Sequence, residues 1–172
     1  MQLNLRSTFA IAAISLSLVL NPAAAADPEP VFSHPILTLE SATFSSPFGM
    51  RNDPIRNRPA WHRGVDIRGE IGAAIHTPAD AIVTYAGTKA GYGKLVDVEL
   101  SDGRKLRFAH LNEITVSSGQ AVSAGDEIGL MGKSGRRQLA HLHLEVRLDD
   151  KTYDPTHIDD LVIFEGCCAT TN

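Results

Sequence analysis

The stretch that decides the fold is His141–Leu148, which reads HLHLEVRL. Apolar and polar residues alternate there without a break over eight positions. That spacing is the period of a half-buried β-strand and differs from the period of a helix. The four apolar residues of the stretch are therefore predicted to face a core. The opposite face of the strand would then carry His141, His143, Glu145 and Arg147.

The two histidines of this strand are two residues apart and would point in the same direction. From the rise of a β-strand, their backbone positions are roughly 6.5 Å apart. On an α-helix the same two side chains would diverge by about 200°. Paired imidazoles on a rigid strand favour a metal site in which one imidazole binds the metal and the other lies beside it. The alternative is a polar strand face that carries two histidines and no metal, since histidine has several other common roles.

The first 26 residues have the pattern of a secretory signal peptide. Arg6 supplies a positive charge, residues 9–20 form an apolar run, and residues 24–26 are small alanines suited to cleavage. The apolar run is shorter than the ~20 residues that a membrane-spanning helix needs. We therefore expect cleavage before Asp27 and a secreted protein, located in the periplasm or at the cell exterior.

Removing the expected signal peptide leaves 146 of the 172 residues, a length typical of one domain. The removed segment carries one basic residue and no acidic residue, so the formal net charge changes from −4 to −5. A negative balance gives no electrostatic reason to expect nucleic acid or an anionic membrane as a partner. No integral membrane segment is expected after cleavage.

The remaining chain is predicted to have three parts. A polar, proline-rich arm covers residues 27–35, a folded domain covers residues 36–163, and a tail covers residues 164–172. The tail holds the two cysteines of the chain, Cys167 and Cys168. Neighbouring Cα atoms are about 3.8 Å apart, which is below the usual disulfide range, so no internal disulfide framework is expected.

Short β-like runs dominate the predicted domain. Besides His141–Leu148, strands are predicted at residues 81–86, 95–100, 105–109 and 127–131. The glycine-containing segments 87–93 and 119–125 are predicted to be a loop and a turn region, and Ser101–Gly103 is a hairpin signal. Long amphipathic helical patterns are missing from the sequence. We therefore expect a mostly-β, antiparallel, sandwich-like single domain.

A second candidate motif is HRGVD at residues 62–66. In a straight strand, side chains four positions apart face the same side but lie about 13 Å apart, too far for one metal ion to bind both. Gly64 permits a bend or bulge that would bring the imidazole of His62 and the carboxylate of Asp66 together. The alternative is a surface histidine and an aspartate in a turn.

The two motifs together predict a zinc site. His62, Asp66 and one of the two strand histidines would supply two nitrogens and one oxygen, a set that suits Zn²⁺. Three protein ligands leave a fourth position for water, as in catalytic zinc sites. Zinc lowers the pKa of water and polarises a carbonyl group. The remaining imidazole could handle protons or stabilise an oxyanion, and the spacing leaves open whether His141 or His143 is the ligand.

The other histidines give weaker signals. His110, in FAHL at residues 108–111, ends the strand after the hairpin and shares the parity of Phe108, so it need not face solvent. Its alternative role is a hydrogen-bonded histidine at a strand end. His34, His76 and His157 are not expected to take part in chemistry.

Three motifs of the chain resemble those of the lysostaphin-type or LytM-like zinc metallopeptidases, peptidase family M23, which cut peptidoglycan cross-links. The HxxxD motif of that family reads as residues 62–66, its central histidine motif as FAHL at 108–111, and its HxH strand as HLH at 141–143. The resemblance extends from SPFGMR at residues 46–51 to Asp154 and Pro155, nearly the whole predicted domain.

The resemblance implies a role for each site residue. The zinc ligands would be His62, Asp66 and His143, and the catalytic histidines would be His110 and His141. The implied fold has long loops around a zinc groove. The implied activity is that of a secreted zinc endopeptidase, a monomer, which hydrolyses the cross-links or stem peptides of bacterial peptidoglycan through a metal-activated water.

Two other functions fit parts of the sequence. Some relatives in this family have lost the site, which allows a non-catalytic cell-wall binder or amidase activator on the same fold. The presence of all five site residues in this chain argues against that alternative. A structural β-domain whose histidines bind metal adventitiously is the other alternative. Hydrolysis of purified peptidoglycan with and without a chelator separates the enzyme from both.

The chain departs from the family pattern in two places. Phe108 stands where the family usually has a tyrosine, so a phenol hydroxyl is lost. Before the HxH strand the family usually carries Gly, Ser and Thr, whereas this chain reads RRQLA at residues 136–140. The second departure affects the predicted wall of the groove and the substrate preference. Neither departure removes a predicted ligand or catalytic histidine.

Overall fold

The structure is a computed structural model that describes residues 31–39, 41–53, 57–135 and 139–164. The predicted signal peptide, residues 27–30 of the predicted arm, the cysteine-containing end of the tail and residues 136–138 lie outside the described residues. Within the described ranges, no helix has the length and apolar character that crossing a membrane requires.

The described chain is built almost entirely from β-strands. The strands are β1 (Thr43–Ser46), β2 (Gly49–Asp53), β3 (Arg58–His62), β4 (Val65–Arg68), β5 (Ala74–His76), β6 (Ala81–Lys89), β7 (Gly93–Leu100), β8 (Lys105–Leu111), β9 (Glu113–Ile114), β10 (Ala121–Val122), β11 (Glu127–Leu130), β12 (His141–Leu148) and β13 (Lys151–Tyr153). A short 3₁₀ helix, Pro155–His157, follows β13. The prediction of a mostly-β, antiparallel domain is confirmed.

Three antiparallel sheets organise these strands. The main sheet has the order β1-β4-β12-β8-β7-β6-β10, with β13 paired to β12 as its eighth strand. A second sheet has the order β5-β11-β9, and β2 pairs with β3 as a hairpin. The strand that decides the fold, β12, therefore lies inside the main sheet, between β4 and β8. This position places residues of β4 and β8 directly beside its histidines.

The predicted loop at residues 87–93 is shorter in the structure than in the prediction. Strand β6 continues to Lys89 and β7 begins at Gly93, so the two strands pair as far as Lys89 opposite Gly93. Gly91 and Gly93 have positive φ angles of 85° and 68°, which allows the tight turn. The predicted turn region at 119–125 likewise contains the short strand β10.

Strand β12 is buried on both faces, whereas its alternation predicted burial of one face. The apolar side chains of Leu142, Leu144 and Val146 lie in the core, as expected. On the opposite face His141 and His143 are also buried, and Glu145 is 0% exposed. The prediction of a half-buried strand is therefore wrong, because other polar side chains and loops cover the second face.

The core lies on the apolar face of the main sheet. Phe108 is fully buried and stands opposite Leu144 in the ladder between β8 and β12. A tyrosine hydroxyl in this apolar setting would need a hydrogen-bond partner, so phenylalanine suits the position. The core is completed by residues from both ends of the described chain, among them Ile36, Leu37 and Ile163.

Candidate metal centre

The segment between β3 and β4 brings the two ends of the HxxxD motif together. Strand β3 ends at His62 and β4 begins at Val65, so the chain bends over the two residues between them. A Cβ atom on Gly64 would lie 2.0 Å from the carbonyl oxygen of Leu144, a distance that excludes any side chain there. As a result, His62 Nε2 lies 3.2 Å from Asp66 Oδ1. The predicted bend at Gly64 is confirmed.

Strand register adds the third member of the cluster. In the antiparallel pairing of β12 with β4, His143 stands opposite Asp66. His143 Nδ1 lies 2.8 Å from Asp66 Oδ1 and 3.1 Å from His62 Nε2. One ligand atom from each of the three residues lies within 4.8 Å of the others, and all three residues are buried. Both motifs thus meet at a single point, as the sequence predicted.

Hydrogen bonds on the far side of each ring orient these two histidines. His62 Nδ1 lies 2.7 Å from the carbonyl oxygen of Pro47, which can only accept, so Nδ1 carries the proton. His143 lies between two carboxylates, with Nε2 3.1 Å from Glu145 Oε1 and Nδ1 2.8 Å from Asp66 Oδ1. Burial lowers the pKa of His143, but hydrogen bonds and charge from these two carboxylates outweigh it and raise that pKa above its usual range. The nitrogens that face Asp66 are therefore His62 Nε2 and His143 Nδ1.

Three ligand atoms thus converge on one small volume, which suits a cation bound between them. Burial by itself would raise the pKa of Asp66, but hydrogen bonds and charge from His143 and His62 outweigh it and hold that pKa well below its usual range. The carboxylate is therefore ionised at neutral pH. Two imidazole nitrogens and one carboxylate oxygen are a donor set that Zn²⁺ accepts, so His62, Asp66 and His143 could hold this metal.

Two more histidines border the cluster. The rings of His110 and His141 have centroids 4.6 Å apart, and the His110 ring lies 5.8 Å from that of His143. His110 Nδ1 donates to the carbonyl oxygen of Ser134 at 2.7 Å, and His141 Nδ1 donates to that of Leu139 at 2.8 Å. In the neutral tautomers that these bonds select, the Nε2 atoms keep their lone pairs.

His141 lies beside the cluster and is not one of its three members. Its Nε2 is 4.0 Å from Asp66 Oδ1, compared with 2.8 Å for His143 Nδ1. The spacing of the strand pair left open which histidine joins His62 and Asp66, and the structure brings in His143.

His110 reaches the site through an unusual backbone conformation. Its φ angle is +65°, in the left-handed region that non-glycine residues seldom adopt. This conformation breaks the alternation of β8, so His110 meets the histidines of β12, whereas Phe108 faces the core. The parity argument therefore gave the correct burial for His110 but the wrong face of the sheet.

Two glycines leave room for the His110 ring and for the carbonyl group that holds it. A Cβ atom on Gly135 would lie 2.9 Å from His110 Nδ1, and one on Gly93 would lie 2.3 Å from Ser134 Oγ. Both glycines also have positive φ angles. Burial, followed by the charges of His141 and His143, lowers the pKa of His110 to about 4. His110 is therefore neutral at physiological pH and able to accept a proton.

A layer of polar residues behind His143 was missed by the sequence reasoning. Tyr92 Oη donates to Glu145 Oε1 at 2.8 Å, and Arg147 Nη1 donates to Glu145 Oε2 at 3.2 Å. Burial would raise the pKa of Glu145, but the hydrogen bond and charge of His143, with help from Tyr92 and Arg107, lower it to about 2. The alternation of β12 placed Glu145 on the histidine face, whereas nothing in the pattern singled out Tyr92.

The three remaining histidines lie outside this cluster. His34 and His76 have ring centroids 5.2 Å apart, and His76 Nδ1 donates to the carbonyl oxygen of Gly125 at 3.0 Å. His157 Nδ1 lies 3.2 Å from Asp154 Oδ2 near the end of the described chain.

Comparison with known proteins gives matches over the same part of the chain. The sequence model of peptidase family M23 matches residues 60–155. The DD-carboxypeptidase/endopeptidase Mpg of Neisseria meningitidis serogroup B is 34% identical over 114 residues, which cover 66% of this chain and 26% of that protein. The murein hydrolase activator NlpD of Salmonella typhimurium is 37% identical over 95 residues, covering 55% of this chain and 25% of the relative.

The fold matches solved structures as well. A zinc-containing peptidase from Vibrio cholerae superimposes with a TM-score of 0.65 at 28% sequence identity, over 72% of this chain and 39% of that one. The chain thus spans about a quarter of the length of the curated relatives described above. What is shared is the domain that carries the five histidine and aspartate positions.

Proposed function

The chain belongs to peptidase family M23, and from this membership and the geometry of its site we propose that it is a secreted zinc endopeptidase. Its substrate would be the peptide cross-links or stem peptides of bacterial peptidoglycan. The observation that carries the proposal is the convergence of three buried ligand atoms, from His62, Asp66 and His143, within 4.8 Å. Such a set stabilises a divalent cation and leaves room for water.

In this proposal His62 Nε2, Asp66 and His143 Nδ1 are the zinc ligands. Bound Zn²⁺ supplies Lewis-acid chemistry, because it polarises a peptide carbonyl and lowers the pKa of water towards 7. The protein fixes the two imidazoles for this task through the acceptors on their far sides, Pro47 O and Glu145. Such acceptors fix the orientation of an imidazole that would bind the metal.

His110 and His141 would be the catalytic histidines. Their Nδ1 protons are committed to backbone carbonyl oxygens, so only Nε2 is left to exchange a proton with water or substrate. A neutral imidazole can accept a proton at Nε2 and, once protonated, donate a hydrogen bond to a developing oxyanion. The lowered pKa of His110, about 4, keeps that imidazole neutral before the reaction begins.

Two further observations support the proposed substrate and location. The relative Mpg is named a DD-carboxypeptidase/endopeptidase, and the amino-terminal sequence of this chain predicts export to the periplasm or the cell exterior. Peptidoglycan lies in that compartment. The negative charge of the chain is consistent with a peptide substrate and gives no support to nucleic acid binding.

Digestion of purified peptidoglycan tests the proposal. The mature chain is incubated with peptidoglycans of different cross-link chemistry, with and without a chelator, and the released fragments are identified by mass spectrometry. We expect peptide-bond cleavage that the chelator abolishes and zinc restores. A protein that binds zinc but releases no fragment from any of the peptidoglycans would contradict the endopeptidase assignment.

An activator of another cell-wall hydrolase is the second candidate function. It is favoured by one observation, the 37% identity to the murein hydrolase activator NlpD. The retention of His62, Asp66, His110, His141 and His143 supports the enzyme instead. The two are separated by adding the chain to an amidase with intact peptidoglycan. An activator raises the amidase rate and releases nothing by itself.

A further inference from the structure

The imidazole of His143 is oriented differently from those of the three other site histidines. His62, His110 and His141 each donate Nδ1–H to a backbone carbonyl oxygen. His143 instead donates Nε2–H to a side chain, the carboxylate of Glu145 at 3.1 Å. The atom that His143 turns to Asp66 is consequently Nδ1. His143 thus lies between two carboxylates, and only that of Glu145 lies on the side of the ring away from the cluster.

That carboxylate is itself held on both oxygens. Glu145 is 0% exposed. Its Oε1 accepts from His143 and also from Tyr92 Oη at 2.8 Å. Its Oε2 faces two guanidinium groups, with Arg147 Nη1 at 3.2 Å and Arg107 Nη1 at 3.7 Å. The two edges of the carboxylate therefore have different partners, and all of them are donors.

Tyr92 is in turn fixed by its surroundings. The guanidinium of Arg107 stacks on the Tyr92 ring at 4.7 Å from its centroid. Arg107 makes a bidentate pair with Asp97 on the neighbouring strand, with both contacts at 2.7 Å. Because Asp97 already neutralises Arg107, Glu145 is not required as its counter-charge. Of the other two basic partners of Glu145, the Arg147 side chain is 23% exposed and can also bind water, whereas that of His143 is 8% exposed, so His143 depends most on Glu145.

We propose that Glu145 is a positioning residue that holds Nε2–H of His143 when a metal occupies the cluster, with Tyr92 fixing Glu145, so that Nδ1 is the atom left to face the metal. The inference rests on the proposed function in one respect, namely that the ion bound at the cluster is zinc. Carboxylates behind ligating histidines generally orient the ring and raise its basicity, and their loss typically costs about 10–100-fold in metal affinity.

Replacing Glu145 with glutamine tests whether His143 depends on the carboxylate, because the side chain keeps its shape and loses its charge. Glutamine offers one oxygen acceptor and one NH₂ donor in place of two acceptors. If its oxygen faces His143, its NH₂ faces Arg147, donor against donor. If the amide turns over, its NH₂ faces His143 Nε2, which must then accept. The proton of His143 would move to Nδ1 and point into the cluster, where a lone pair is needed.

The experiment compares Glu145→Gln and Tyr92→Phe with wild type as full mature chains. Two matched controls carry the same substitutions away from the site, Glu99→Gln and Tyr85→Phe; Glu99 pairs with Lys105 and Tyr85 is 37% exposed. Zinc affinity is measured by competition with a chromogenic chelator. The tautomer of each histidine is read from long-range ¹H–¹⁵N spectra of the zinc-loaded protein. Neither readout uses peptidoglycan.

We expect Glu145→Gln to weaken zinc binding by about 10–100-fold and to lose the wild-type pattern of metal-bound Nδ1 and protonated Nε2 at His143. For Tyr92→Phe we expect a smaller loss of about tenfold or less, and for the controls no change. Unchanged affinity and tautomer in Glu145→Gln would overturn the proposal. So would weaker binding with the Nε2–H tautomer retained, because Glu145 would then be structural only.

Two outcomes keep the test decisive. If Glu145→Gln does not fold, as shown by circular dichroism, Tyr92→Phe decides, and wild-type zinc affinity in that variant overturns the proposal. If wild type binds no zinc, the proposed function fails. Normal zinc binding by wild type, together with unaffected variants, refutes only the positioning role of Glu145.

Discussion

Gly64→Ala provides a quantitative test of how the two motifs are brought together. The added Cβ would lie 2.0 Å from the carbonyl oxygen of Leu144 and 2.8 Å from its carbon. A normal contact requires a separation above 3.0 Å, so the backbone of β12 or the bend must move by about 1 Å or more. Leu144 is paired with Val65 on one side and Phe108 on the other, so this movement disturbs both ladders.

The expected loss of stability in Gly64→Ala follows from those contacts. Overpacking in a well-packed interior costs about 1–3 kcal/mol, and each weakened ladder hydrogen bond adds about 1 kcal/mol. Alanine returns roughly 0.4–1 kcal/mol by restricting the unfolded chain. We therefore expect a loss of about 2–4 kcal/mol in the free energy of unfolding. Because His143 adjoins Leu144, we also expect zinc affinity to fall by about tenfold or more.

Urea denaturation in excess chelator measures the free energy of unfolding of the metal-free protein. The chelator is needed because bound zinc would stabilise the folded state further. Competition with a chelating dye measures zinc affinity separately. Gly72→Ala is a matched control, since its Cβ meets nothing within 4 Å and only its φ of +86° opposes the substitution. If Gly64→Ala were no less stable than Gly72→Ala, the steric argument for the bend would be refuted.

Three other predictions concern the site histidines. We expect wild type to hold one zinc per chain and His143→Ala to lose it, as measured by elemental analysis; stoichiometric zinc in that variant would remove His143 from the ligand set. His110→Ala and His141→Ala should each lower hydrolysis by about 10²–10⁴-fold with zinc and fold intact, and zinc loss in either would make that residue a ligand instead. Gly135→Ala, whose Cβ would lie 2.9 Å from His110 Nδ1, should reduce turnover while zinc affinity stays at the wild-type value; equal losses in both would mean that the substitution disturbs the whole site.

Alternation and motif spacing predicted those parts of the site that depend on local sequence. The period of His141–Leu148 gave a strand, and Gly64 allowed the bend between His62 and Asp66, because both properties belong to short segments. The choice between His141 and His143 could not be made from spacing, since it depends on the register of β12 against β4. The family resemblance supplied that choice, and the structure agrees with it.

The errors in the sequence-based predictions arise from contacts between segments that are distant in the sequence. Alternation treats one strand face as solvent-exposed, but Glu145 is 0% exposed because Tyr92 and the arginines cover it. Parity placed His110 on the face of Phe108, but a φ of +65° turns the chain at that residue. Neither the covering residues nor the left-handed conformation has a local sequence signature. Both become visible only when the loops are placed around the sheet.

The use of backbone carbonyl oxygens to hold three of the four site histidines has a consequence for how this domain can vary. A carbonyl oxygen remains when its residue is replaced, so the loops at Pro47, Ser134 and Leu139 can change in sequence and still orient the rings. His141 uses the main chain of Leu139 and not its side chain, so this position needs no hydroxyl group to hold the ring. The side chains at these three positions can therefore differ without loss of the acceptors that orient the histidines.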